Sequence, residues 1–161
     1  MFKKKPLVSY IAYEPFGIEY LERFLKRYSF YDSGFDHDLL ICFKQFKNND
    51  SIEKWKKIIN VKFIEFDDSN QENDFDIGSY FRIANRYNDR HILFLNSHTR
   101  PNTDNWLKIF ANHFQEKSIL GATASMSSLS SQFLNFFYYQ HSKFQQLRWG
   151  LKHLIRVSLF P

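Results

Sequence analysis

The sequence predicts an α/β fold with a mostly parallel open sheet that is flanked by helices on both faces. Short apolar runs typical of strands alternate with amphipathic segments typical of helices, and polar loops separate them. The strand-like runs are apolar nearly throughout, which is typical of a sheet covered on both faces. A length of 161 residues favours a single domain with a core of ordinary size.

The amino-terminal half carries three of the predicted strands. Residues 7–13 form an apolar run that ends in a Glu-Pro-Phe-Gly turn. Residues 18–30 follow with apolar positions three and four apart, which predicts a helix. The pattern then predicts a strand at residues 38–46, a helix at 51–60 and a strand at 61–66.

The second half continues the alternation. An acidic loop at residues 67–74 precedes a predicted helix at 76–87, which leads to an apolar strand at 91–95. A further helix is predicted at 104–114 and a fifth strand at 119–123. The apolar positions expected to face the core in these two helices are Ile77, Tyr80, Phe81, Ala84, Trp106, Leu107, Phe110 and Phe114.

Composition and missing motifs narrow the classes of function. The net charge of +5 permits anionic ligands such as nucleotide diphosphates, nucleic acid or acidic lipid headgroups. Cys42 is the single cysteine and is predicted to be a buried small residue. The sequence contains no Gly-x-Gly-x-x-Gly, phosphate-loop, Gly-x-Ser-x-Gly or zinc-spacing motif. It also shows neither a membrane span nor a secretion signal, so we predict a cytoplasmic location.

Ligands of open α/β sheets bind at the carboxyl ends of the strands. The loops that follow the predicted strands, at residues 13–17, 43–46, 67–77 and 96–101, are therefore the candidate site. The simplest role of Asp76, which opens a predicted helix, is that of an N-cap. The candidate ligand-binding side chains on these loops are Tyr13, Glu14, Asp67, Asp68, Asp76, Asn96, His98 and Arg100.

One stretch of the chain has a recognisable layout. It comprises GSYFRIANRY at residues 78–87, HILFLNSHTRP at 91–101, and Asn105-Trp106-Leu107. This stretch resembles the nucleotide-sugar glycosyltransferases of the GT-A fold, in which a Gly-initiated helix, an apolar strand, an Asp-x-Asp motif, a Pro and a Trp-Leu helix follow one another. More narrowly, it resembles bacterial glycosyltransferases found with surface-polysaccharide genes, in which Phe-Leu-Asn-Ser replaces Asp-x-Asp. The resemblance covers roughly residues 7–125.

The resemblance implies a GT-A, Rossmann-like nucleotide-binding domain at residues 1–125. Residues 126–161 would then be an aromatic, basic helical extension that begins an acceptor-side half. The implied activity is transfer of a sugar from a nucleotide diphosphate to a glycan or lipid-linked acceptor, in bacterial surface polysaccharide synthesis. Asp67 and Asp68 match the position that contacts the nucleobase or ribose in this family.

The Asp-x-Asp position raises the question of a metal. In the family this motif holds a divalent ion, which neutralises the departing diphosphate. The resemblance makes Asn96 and His98 the candidate ligands here for Mg²⁺ or Mn²⁺. Neither side chain supplies negative charge, so a hard cation would be held weakly. Arg100 is the alternative partner for the diphosphate, because its guanidinium is a fixed cation with a two-pronged fork.

Three hypotheses about function stay open. No acidic residue follows Thr123, and a base-catalysed transfer needs a proton acceptor. We therefore expect a carboxyl-terminally truncated chain, either part of an enzyme or a non-catalytic module that binds a sugar nucleotide. The third hypothesis is an α/β module that binds nucleic acid through the basic tail, but the tail lacks a recognised pattern and no nucleic acid partner is expected. That tail also permits peripheral contact with the inner face of the membrane, although packing on the domain is favoured.

Overall fold

The computed structural model describes residues 4–71, 74–115 and 120. The chain divides into two units, and the first, Met1–Leu120, contains every element described here. A short 3₁₀ turn at Glu14–Phe16 follows the first strand. Along the described residues the elements are β1 (Leu7–Tyr13), α1 (Ile18–Phe30), β2 (Asp38–Lys44), α2 (Asn49–Lys56), β3 (Ile64–Asp68), α3 (Phe75–Arg86), β4 (Ile92–Leu95) and α4 (Trp106–Ala111).

The described strands form one parallel sheet in the order β3-β2-β1-β4. The chain adds strands outward from β1 to β3 and then returns to place β4 on the other side of β1. The predicted α/β class and parallel sheet are confirmed. The reversal of direction creates a topological switch point between β1 and β4, and the carboxyl ends of those two strands border it.

Helices α1, α2 and α4 pack on one face of the sheet, and α3 packs on the other. On the first face, the ring of Phe24 stacks on Tyr10 with centroids 3.9 Å apart. On the second face, Ile83 of α3 joins Leu40 and Cys42 of β2 in a buried cluster. Each large apolar side chain buried in this way stabilises the fold by about 1.5–3 kcal/mol. Cys42 is buried as predicted, and burial raises the pKa of its thiol.

Strand β3 differs from the prediction. It begins at Ile64 and continues to Asp68, whereas the apolar pattern predicts residues 61–66. Asp67 and Asp68 are therefore strand residues that pair with Phe43 and Lys44 of β2, and their assignment to a loop is wrong. Backbone pairing extends the strand past its apolar part, because the ladder does not depend on side-chain polarity.

Two helices begin or end at other residues than predicted. Asn48 caps α2, since its Oδ1 accepts a hydrogen bond from the Ser51 amide at 2.8 Å, so the helix runs from Asn49 to Lys56 rather than over 51–60. Helix α4 is shorter than the predicted 104–114. Asn105 adopts a left-handed conformation with φ 58°, so the helix begins only at Trp106.

The rotation of α3 also differs from the prediction. Asp76 lies inside its first turn and not at the N-cap, which is occupied by Asp74. Ile77 and Phe81 were expected to face the core but are 76% and 67% exposed, whereas Ser79 and Ile83 are fully buried. The Ser79 hydroxyl is hydrogen-bonded beneath the helix, and this contact accompanies the outward position of Ile77 and Phe81. Tyr80 packs against the buried cluster, as predicted.

The predicted fifth strand lies outside the described residues except for Leu120, and the predicted extension at 126–161 lies wholly outside them. Within the described part of the chain, no helix has the length and apolarity to cross a membrane.

Candidate functional site

The switch point is bordered on one side by the end of β1. After Tyr13 the chain makes its 3₁₀ turn and enters α1 through Gly17, which has φ 92° and ψ 159°. This region of backbone conformation is essentially restricted to glycine. The turn leaves Phe16 at the surface, 45% exposed, beside the switch point. Glu14 anchors it to the exit of β2, since its Oε2 accepts a hydrogen bond from the Lys47 amide at 2.9 Å.

The other border is the turn that follows β4, and it is fastened to β1. Ser97 is buried, and its hydroxyl donates to the Ile11 carbonyl at 2.8 Å. The Tyr10 hydroxyl donates in return to the Ser97 carbonyl at 3.0 Å. Burial raises the pKa of Tyr10, so its phenol stays neutral and remains a donor. These reciprocal bonds hold the turn at a fixed distance from β1.

Asn96 shapes the turn internally. Its Oδ1 accepts hydrogen bonds from the His98 amide at 3.1 Å and from the Thr99 hydroxyl at 2.7 Å. An Asn side chain used in this way mimics a backbone turn. The result is that His98 and Arg100 are both exposed on the rim of the switch point.

Aromatic side chains meet at this rim. Phe16 and Tyr20 each contact the His98 ring, with centroids 4.8 Å and 5.0 Å apart, and Tyr13 lies edge-on to Phe16 at 4.8 Å. We call Tyr13, Phe16, Tyr20 and His98 the ring cluster. Arg100 is exposed next in the turn, and among the described residues its guanidinium makes no hydrogen bond or ion pair.

A second polar group lies where β2 and β3 end. Lys44 points from β2 toward α3, and its Nζ donates to Asp74 Oδ1 at 2.7 Å and to the Ser79 hydroxyl at 2.8 Å. Ser79 in turn donates to Asp68 at 2.6 Å. Arg82 completes the group with two bonds to Asp68, both at 2.6 Å, and two to Asp74, at 2.6 Å and 3.4 Å. We call Lys44, Asp68, Asp74, Ser79 and Arg82 the charge cluster.

Hydrogen bonding sets the protonation of the charge cluster. Bonds from Arg82 and then from Lys44 hold the pKa of Asp74 well below its ordinary value of 3.8. Bonds to Asp68 and then to Asp74 raise the pKa of Arg82 above its already high value. Asp74 therefore stays ionised and Arg82 stays protonated at neutral pH, within a cluster that pairs two basic with two acidic side chains.

Comparison with known proteins gives no match: no protein family, curated protein or solved structure matches this chain.

The predicted site residues separate into two groups. Tyr13, Asn96, His98 and Arg100 lie around the switch point, and Glu14 lies beside it. Asp67 and Asp68 end β3, which is three strands from β4, or about 14 Å at about 4.8 Å per strand.

The two neighbouring aspartates of β3 have different surroundings. Asp67 is exposed, and its Oδ1 accepts bonds from the amide and hydroxyl of Ser69. Asp68 is 2% exposed, and both of its oxygens are used inside the charge cluster. Asp67 is thus accessible to a ligand, whereas the carboxylate of Asp68 is occupied by hydrogen bonds from Ser79 and Arg82. Asp76, in the first turn of α3, takes part in none of the hydrogen bonds or ion pairs of the charge cluster.

Sequence reasoning missed most of the charge cluster. Lys44 carried a usable signal, because it occupies the same face of β2 as Leu40 and Cys42, and an inward charge in a buried strand requires a partner. No comparable signal marked Ser79 or Arg82, whose inward position depends on the strands beneath α3. The missed ring-cluster members, Phe16 and Tyr20, look like ordinary aromatic positions in the sequence.

The residues near Asn96 do not form a good set of ligands for a hard divalent ion. Asn96 Oδ1 already accepts two bonds within the turn, and His98 brings no negative charge. Among the described residues, no group of three or more His, Cys, Asp or Glu side chains is placed to hold a metal. Arg100 is the better-suited partner for an anionic ligand at this rim.

An open groove of about 510 Å³ lies elsewhere, between α1 and the residues that follow α2. Its apolar lining includes Leu25, Phe30 and Ile58. No residue predicted to bind a ligand lines this groove, so we place the candidate site at the switch point and not there.

Proposed function

We propose that this domain binds a nucleotide-diphosphate sugar at the switch point, as the donor side of a glycosyltransferase that serves a glycan or lipid-linked acceptor. The observation that carries the proposal is the strand order β3-β2-β1-β4. It creates a topological switch point between the carboxyl ends of β1 and β4, and open parallel sheets bind their ligands at such points.

The side chains around the switch point suit the parts of such a ligand. Arg100 offers several N–H donors, in an arrangement that matches the oxygens of a diphosphate. The exposed faces of the ring cluster suit a flat base or the apolar face of a sugar. The bonds between Ser97 and β1 fix the turn in advance, which reduces the entropy lost on binding. Asp67 stays a candidate for contact with the nucleobase or ribose.

Calorimetric titration of the full chain with UDP- and GDP-sugars tests the proposal. We expect one of these ligands to bind, and Arg100→Gln to weaken it about 10- to 100-fold, because charge-assisted hydrogen bonds contribute about 1.5–3 kcal/mol each. The matched control is Lys62→Gln, which removes the same charge near the amino end of β3 and should leave affinity within about twofold. Repeating the titration with Mn²⁺ tests whether a divalent ion accompanies the nucleotide.

The outcomes separate the alternatives. If nucleotide sugars fail to bind and oligonucleotides bind with a steep salt dependence, the proposal is wrong and a nucleic-acid-binding module replaces it. If nucleotide sugars bind but no sugar is transferred or hydrolysed, the domain is a non-catalytic binding module. Equal losses in Arg100→Gln and Lys62→Gln would place the nucleotide away from the switch point.

A further inference from the structure

The charge cluster contains a cation that is almost fully removed from water. The Lys44 side chain is 2% exposed, and Asp68 beneath it is 1% exposed. A buried ammonium carries a desolvation cost of several kcal/mol unless it is well paired. Asp68 is a distant partner, because its Oδ2 lies 3.7 Å from Lys44 Nζ and both of its oxygens bond Arg82. The close ionic partner of Lys44 is therefore Asp74, at 2.7 Å.

Asp74 differs from the rest of the cluster in its position. Its side chain is 33% exposed, and it covers the cations from the solvent side. Its Oδ1 accepts bonds from Lys44 at 2.7 Å and from Arg82 at 3.4 Å, and its Oδ2 accepts a bond from Arg82 at 2.6 Å. A carboxylate held by two separate cations in this way has the contacts that two oxygens of a phosphate would make.

The backbone next to Asp74 adopts an unfavourable conformation, so placing its carboxylate between the two cations has a cost in free energy. Asp74 stands at the N-cap of α3, yet its side chain caps no helical amide. Phe75, the next residue, has φ 56°, a left-handed conformation that costs a non-glycine residue about 1–3 kcal/mol. The carboxylate is accommodated only because residue 78 is glycine: a Cβ there would lie 1.6 Å from Asp74 Oδ2.

We propose that Lys44, at the end of β2, and Arg82, in the middle of α3, form a binding site for a phosphate-type oxyanion, and that Asp74, at the N-cap of α3, fills this site with its own carboxylate. Asp68 neutralises one of the two cations. Displacement of Asp74 therefore leaves one uncompensated positive charge beside the amino-terminal turn of a 12-residue helix, where anions are favoured. Lys44 lies on β2, two strands from β4, so this site is separate from the switch point.

Gly78→Ala is the sharpest test, because it changes no charge. The new methyl group meets only the movable carboxylate of Asp74 among its three nearest atoms, so Asp74 should swing out while the helix keeps its backbone. We expect inorganic phosphate, measured by calorimetry, to bind this variant at least about tenfold more tightly than the wild type, a change of about 1.4 kcal/mol. Lys44→Met in the Gly78→Ala background should abolish the gain.

A second pair of variants tests the same site by charge. Asp74→Asn should also increase phosphate affinity, since it removes the competing carboxylate. Asp76→Asn is the matched control: it makes the same change two residues along in the same turn and lies outside the cluster. Equal gains from the two variants would mean that net charge alone attracts phosphate, and the proposal would be wrong. No gain in either Gly78→Ala or Asp74→Asn, with folding verified by circular dichroism, would overturn it as well.

The wild-type protein provides a readout that does not depend on any variant folding. Added phosphate should displace Asp74 in part and shift the amide resonances of Ser79 and Arg82, whereas chloride at equal ionic strength should not. Unchanged resonances would overturn the proposal. Titration of Gly78→Ala with UDP identifies the source of the anion: a gain shared by UDP and phosphate indicates a nucleotide's phosphate group, and a gain for phosphate alone indicates the free ion.

Discussion

At the scale of single residues, the buried polar side chains decide how the candidate site is built. Ser97 has no part in the predicted ligand contacts, yet its hydroxyl and carbonyl both bond β1 and so position the exposed part of the turn. Asn96, predicted to contact ligand or metal, is seen to shape the turn. Arg100 is exposed, and its guanidinium makes no hydrogen bond or ion pair among the described residues, so it is the residue of this turn best placed to bind a ligand.

Ser97→Ala should destabilise the domain. The substitution leaves the buried Ile11 carbonyl without the bond from Ser97, and a buried group left unsatisfied costs about 1–3 kcal/mol. Urea denaturation should show this loss in the free energy of unfolding. Thr99→Ala, which removes an exposed hydroxyl from the same turn, should cost about 0.5 kcal/mol or less. Equal losses in the two variants would contradict the role given to Ser97.

At the scale of elements, polar contacts at the ends of helices decide where they begin and how they are turned. The apolar spacing of residues 51–60 correctly indicates a helix, but Asn48 places its start earlier. In α3, the spacing of apolar residues correctly indicates that Tyr80 packs inward but not that Ile77 and Phe81 are exposed, because Ser79 is drawn inward by Lys44 and Asp68. Helix α1, with apolar positions on one stripe, matches its prediction in full, from Ile18 to Phe30.

Asn48→Ala should weaken α2. Loss of a side-chain cap costs about 1 kcal/mol. The loss should not be larger here, because the site is exposed and water can accept the hydrogen bond of the Ser51 amide instead. The free energy of unfolding from urea titration checks this value. Asn49→Ala is the matched control at the next position, inside the helix, where alanine is the better helix former and no loss is expected. A loss confined to Asn49→Ala would mean that the cap is misassigned.

At the scale of the whole described unit, the order of the strands creates two separate polar regions along one edge of the sheet. The switch point lies between β1 and β4, and the charge cluster joins β2, β3 and α3 on the far side. The cluster links elements of both the sheet and a helix, so its ionisation affects the stability of the unit as a whole.

The stability of the domain should therefore depend on Asp74 and on pH. Because the pKa of Asp74 is lower in the folded chain than its ordinary 3.8, its contribution is complete above about pH 5 and is lost as the pH falls through the folded-state value. The difference in free energy of unfolding between wild type and Asp74→Asn should be constant near neutral pH and shrink below about pH 4.

Urea titrations from neutral pH down to about pH 2 measure this difference. Ser97→Ala provides the control, since it removes no charge and its difference from wild type should not depend on pH. If the Asp74→Asn difference stays constant to the lowest pH at which both proteins fold, Asp74 is not stabilised as a carboxylate by its neighbours.

The class of the fold, the order of the described elements along the chain and the burial of Cys42 are all predictable from the amino-acid sequence. Apolar runs, helical spacing and turn residues are properties of neighbours in the chain, so they can be recognised without knowing what packs against them. They also indicated correctly that polar residues such as Asn96 follow the strands.

Three features are not predictable in this way: the order of the strands, the rotation of α3 and the membership of the two polar regions. Each of these depends on contacts between residues far apart in the chain, such as Lys44 with Ser79 or Tyr10 with Ser97. The free energy of a buried charge or hydroxyl depends on a partner that another element supplies. For that reason the separation of Asp68 from Arg100 became apparent only when β2 and β1 were placed between their strands.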